Sequence, residues 1–62
     1  MTKLYTIKGE NPEIKVFILE KASKIEHKNG QLPKNKVCIQ SWTTGETSTI
    51  LKDKLEFYQE FS

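Results

Sequence analysis

The sequence predicts a mostly-β fold, a small barrel of about five short strands with a helical turn near the C-terminus. Three observations lead there. The chain has 62 residues, 35% hydrophobic and 29% charged, which is globular composition for one small domain spanning 1–62. A domain of this size buries only about 60% of its unfolded surface, so it builds one core and no second unit. Short runs rich in β-branched and aromatic residues alternate with turn signals at Gly9-Glu10-Asn11-Pro12, at Asn29-Gly30 with Pro33 behind it, and at Thr43-Thr44-Gly45-Glu46. Finally, Val37–Trp42 and Thr47–Leu51 flank the last of these turns as the two arms of a hairpin.

The first run, Lys3 to Lys8, carries Leu4, Tyr5 and Ile7 and reads as a strand. The second, Glu13 to Lys28, fits two patterns. As a strand it sets Ile14, Val16 and Ile18 on one face with Phe17 and Leu19 on the other, which suits a central position. As a helix over residues 12–28 it aligns Ile14, Phe17, Ile18, Ala22 and Ile25. Asn11 then caps it, Pro12 takes the first helical position, and Gly30 stands just past its end. That alternative makes the fold α+β, with a βαββ order. In the hairpin, a three-residue loop Thr43-Thr44-Gly45 pairs Trp42 with Glu46, Ile39 with Thr49 and Val37 with Leu51, with Gly45 left-handed. One face then holds Val37, Ile39, Thr49 and Leu51. From Asp53 to Phe61 the spacing fits either a short helix after an Asp53 cap or a strand, and a helical turn leading into a closing strand combines the two.

All ten basic residues are lysine, against eight carboxylates, giving a net charge of +2. Without arginine the chain lacks the planar fork that reads guanine edges, so sequence-specific duplex readout is disfavoured. Cys38 is the only cysteine, which excludes an internal disulfide and fits a reducing, cytoplasmic setting. The longest apolar run, Val16 to Leu19, is far too short for a transmembrane helix, and no membrane partner is expected. His27 and Cys38 fall short of a metal site in ligand number. Gly9, Gly30 and Gly45 are too scattered to cradle a phosphate. No carboxylate pair lies in an apolar run that raises a pKa. The chain is therefore expected to be neither an enzyme nor a cofactor carrier. His27 is expected on an exposed loop or strand end, and Cys38 as a small, partly buried apolar residue.

Between residues 21 and 36, Lys21, Lys24, Lys28, Lys34 and Lys36 face a single Glu26, a local +4 that leaves −2 for the rest. Such a loop suits phosphates or an acidic protein surface, or simply keeps the chain soluble. Trp42, at the hairpin tip, either closes the open end of the core or stands out as a docking anchor. The other aromatics, Tyr5, Phe17, Phe57, Tyr58 and Phe61, are expected in the core.

The order strand, strand, hairpin with a Thr-Gly-Glu tip, and then Ile50-Leu51-Lys52-Asp53-Lys54-Leu55-Glu56 resembles small SH3-like barrels, which end in a strand, a helical turn and a short closing strand. The similarity covers about two-thirds of the chain. The carbon storage regulator family of dimeric RNA-binding proteins is comparably short, but relies on arginine in its last strand where this chain offers at best Lys52. The SH3-like superfold hosts many functions. The expected function is a non-enzymatic module that docks a macromolecule, a protein before a nucleic acid, through Lys21, Lys24, Lys28, Lys34, Lys36 and Trp42. The alternatives are a regulatory protein that binds RNA or DNA backbone, single-stranded nucleic acid included, and a structural or inhibitory subunit of a larger complex. An unpaired barrel edge would also invite a homodimer.

Overall fold

A computed structural model describes residues 2–61. It holds five strands and one α-helix: β1 (Thr2–Ile7), β2 (Val16–Ile18), α1 (Glu20–Asn29), β3 (Lys36–Ser41), β4 (Thr47–Leu51) and β5 (Leu55–Phe61), with a 3₁₀ turn at Lys52–Lys54 between the last two. The strands form a single sheet in the order β4-β3-β2-β1-β5, antiparallel throughout. The fold is thus mostly β with one helix mid-chain, and the strand number agrees with the expectation. Among the described residues β4 and β5 do not pair with each other, so the sheet is open and the expected closed barrel is not formed.

The sheet nevertheless has to curl. In a flat sheet its two outer strands would stand about 19 Å apart, at roughly 4.8 Å per spacing. A three-residue 3₁₀ turn spans well under that, at about 2 Å per residue. Backbone bonds tie the turn down on both sides, from Lys8 N to Lys54 O at 2.8 Å and from Lys52 N to Asn35 O at 2.9 Å. The concave face so produced encloses the core of Val16, Val37 and Ile39, with Tyr5, Ile7, Ile18, Ile50 and Leu55 packed around it.

The stretch 13–28 is neither the long strand nor the 12–28 helix of the two sequence readings. Asn11 caps a turn, not a helix: its Oδ1 accepts from Glu13 N at 3.0 Å. Pro12 precedes β2, and α1 begins only at Glu20, after Leu19. The C-terminal signals were the sound ones. His27 and Lys28 occupy the last turn, and Gly30 takes the left-handed conformation at φ 76°. With α1 in place, Lys21, Lys24 and Lys28 lie on a helix and not in the basic loop the charge run suggested.

The hairpin is real but slipped by one residue. Val37 pairs with Ile50, Cys38 with Thr49 and Ile39 with Ser48. Ser41 N donates to Glu46 O and Gly45 N to Ser41 O, which makes the loop Trp42–Gly45, four residues and not three. A one-residue slip turns every β4 side chain over. Ile50 therefore joins the concave core in place of Leu51. At the C-terminus the helical turn and closing strand are as expected, although Leu51 and not Asp53 precedes the turn as its cap residue.

Candidate functional site

Alternation along β1 and β2 puts Leu4 and Phe17 on the convex face, away from Tyr5, Val16 and Ile18. Phe61 stands opposite Thr2 at the far end of β5 and shares that face. Trp42 leaves β3 at the hairpin, its backbone N–H bonded to Lys15 O at 2.8 Å. Its ring lies nearly parallel to that of Phe61, with centroids 6.1 Å apart and planes 13° apart, and meets Phe17 edge-on at 6.0 Å. Trp42 is still 55% exposed and Phe61 41% exposed. The three rings form a convex-face platform from β2, the hairpin and β5. Leu4 on the same face is buried. Nearby, the Lys15 ammonium sits 4.2 Å from the centre of the half-exposed Tyr58 ring, in cation–π geometry.

Exposure overturns the expectation that the aromatics fill the core. Phe57, Tyr58 and Phe61 are all exposed, and only Tyr5 packs on the core cluster. The reason is position: β5 is an outer strand of an open sheet, so Leu55 at its start packs on the core, while Phe57 meets Tyr5 edge-on and stays exposed. The open end of the core is not closed by Trp42.

The basic residues do not join this platform. Lys21, Lys24, Lys28 and Lys34 are exposed and Lys36 is half-buried at the start of β3. Lys36 and Trp42 stand at opposite ends of the strand, roughly 20 Å apart at about 3.3 Å per residue. The six residues singled out by sequence thus divide into a lysine-rich end and an aromatic end. Phe17 and Phe61 were missed as platform residues. No local signal marks them, because only the strand order brings positions 17, 42 and 61 together.

The other end of the convex face is covered by α1, held through polar groups. Ser23 Oγ donates to Leu19 O and accepts from Cys38 N, each at 2.9 Å. His27 Nε2 lies 2.8 Å from Lys36 O, and the Cys38 thiol donates to the Glu26 carboxylate. His27 is therefore half-buried against β3, contrary to the exposed loop position expected for it. The hydrogen bond to Glu26 and, after it, burial push the Cys38 thiol above its ordinary pKa. A thiol held protonated, whose neighbour is a carboxylate, is not set up as a nucleophile. His27 and Cys38 each engage a different group, so they do not form a pair.

The chain matches no family model, no curated protein and no solved structure.

Proposed function

We propose that this chain is a non-enzymatic binding module, an SH3-like roll that docks a protein partner on the Trp42 platform. Strand order, the 3₁₀ link between β4 and β5, and the curl that link imposes support the SH3-like reading of an open sheet. The observation that carries the functional reading is a tryptophan more than half exposed yet fixed in orientation between Phe17 and Phe61. Stacking of this kind contributes about 0.5–1.5 kcal/mol, so the ring is pre-ordered before any partner arrives. The ring loses little freedom when a partner covers it, and tryptophan is among the residues enriched at the anchors of such contacts. The lysine-rich end adds electrostatic steering toward an acidic surface.

The test compares wild type with Trp42→Ala in affinity capture from host lysate, followed by titration of the captured partner. Loss of an anchor of this class costs about 2 kcal/mol or more, roughly a thirtyfold fall in affinity. A partner held equally well by the variant would refute the platform reading. A second reading, contact with RNA or DNA backbone, draws on the +4 between residues 21 and 36. It requires binding to single-stranded RNA or DNA that falls steeply with salt, and no mobility shift at low salt would remove it.

A further inference from the structure

Two surface features lie apart from the platform. The first is a groove of about 500 Å³ on the concave side, between the β1–β2 loop and the β3–β4 hairpin. Its floor is the buried core residues Val16 and Ile39, its exposed apolar residue is Ile14 at 42%, and Glu10, Glu13 and Glu46 are its charged residues. No lysine lines it, in a chain whose net charge is positive. The second is Ile25, which stands 60% exposed on α1 with Lys21 one turn before it and Lys28 one turn after. Residues three and four apart share a helix face, so α1 presents one apolar side chain between two cations. One surface is apolar with anions, the other apolar with cations.

We propose that the groove of one molecule receives the Lys21–Ile25–Lys28 face of α1 from a second copy. Within one molecule the two cannot meet, because α1 packs through Ser23 and Glu26 on the convex face and the groove opens on the concave one. The contact runs from the back of one copy to the front of the next. It uses two different patches and so leads to chains or rings, not to a two-fold dimer. One isoleucine and a few exposed ion pairs make a small interface, below about 1,200 Å² and therefore weak and transient. Low salt strengthens it, since the Debye length grows from about 3 Å at 1 M to about 30 Å at 0.01 M. The inference is independent of the Trp42 reading, which lies on another surface.

Sedimentation tests it with the whole chain at up to about 1 mM protein, a range suited to millimolar dissociation constants, in low and high salt. Wild type is expected to rise above its 7.2 kDa monomer mass as concentration increases at low salt, and to return to it in high salt. Two variants, Glu10→Lys with Glu13→Lys and Lys21→Glu with Lys28→Glu, change only exposed side chains. Each alone is expected to stay monomeric, because its own groove and helix now repel. Mixed, they are expected to associate again, as assemblies in which the two variants alternate, since both contacts between unlike molecules are then complementary. Wild type that stays monomeric at low salt would overturn the proposal and leave the groove to a cationic segment of another protein. Self-association that persists in both variants would overturn it too, and point to another surface.

Discussion

At the junction of β2 and α1 a single hydroxyl completes a sheet. Ile18 pairs with Ile39, and the ladder continues for one more bond, from Leu19 N to Cys38 O at 2.8 Å. The reciprocal bond, from Cys38 N to Leu19 O, would come next in an antiparallel pair. It is not made, because Leu19 O has turned into the helix and accepts from Ser23 N at 3.0 Å and from Ser23 Oγ. Ser23 Oγ instead accepts the orphaned Cys38 N–H. Both residues are buried, Ser23 at 5% and Cys38 at 8% exposure, so water offers no substitute. Ser23→Ala is therefore expected to destabilise the chain by about 1–3 kcal/mol, the cost of a buried donor left unpaired. In a domain this small each 1 kcal/mol lowers Tm by roughly 4–8 °C. Thermal denaturation checks it, and a Tm unchanged within a degree would show that the hydroxyl bond contributes nothing.

At the scale of elements, α1 owes its place to how it ends more than to how it begins. It has no side-chain cap at Leu19, and its buried residue is Ser23, not an apolar stripe. Its C-terminus is well closed: Gly30 is left-handed, Gly30 N and Gln31 N return to His27 O and Glu26 O, and buried Leu32 follows. A Cβ at Gly30 would meet nothing within 4 Å, so substitution there is opposed by conformation alone. Gly30→Ala is expected to lower stability by about 1 kcal/mol and Gly30→Asn by less, since asparagine tolerates the left-handed region. Urea denaturation of the two variants separates them, and an alanine variant as stable as wild type would refute the argument. This asymmetry explains what could be read from sequence. Gly30, Gly45 and the segment around Asp53 act through local backbone chemistry, and they marked the helix end, the presence of a hairpin turn though not its length, and the 3₁₀ turn. The helix start was obscure because Asn11-Pro12-Glu13 is equally good chemistry for a turn. The hairpin register was obscure because loops of three and four residues both place Gly45 left-handed, while the slip between them exchanges Ile50 for Leu51 in the core. Trp42 was legible as a candidate, but its partners Phe17 and Phe61 were not, since strand order is a property of the whole chain.

For the whole molecule, stability is graded across the sheet. The buried cluster of Val16, Val37 and Ile39 belongs to β2 and β3, and β1 backs it with Tyr5 and Ile7. The outer strands contribute Ile50 and Leu55 from one end each and are otherwise exposed. β5 leaves seven residues with one unpaired edge and three exposed aromatics, a template for further strands. Self-pairing there is opposed by charge. Two β5 strands aligned antiparallel about Tyr58 set Glu56 of each against Glu60 of the other, and like charges directly opposite are destabilising. Local opening is therefore expected to begin at the edges, with the three central strands opening last. In native-state hydrogen exchange of dilute protein, the strand-to-strand amides of β2 and β3 should be slowest, Leu19 N included. The β5 amides that point away from β1 should exchange at rates near those of an unfolded chain. Raising the concentration at low salt should slow exchange along the β1–β2 loop and α1, where the proposed contact lies, and leave the β5 edge fast. Slow exchange along that outer edge at high dilution would contradict the open sheet, because it would require a strand bonded where β5 now has none.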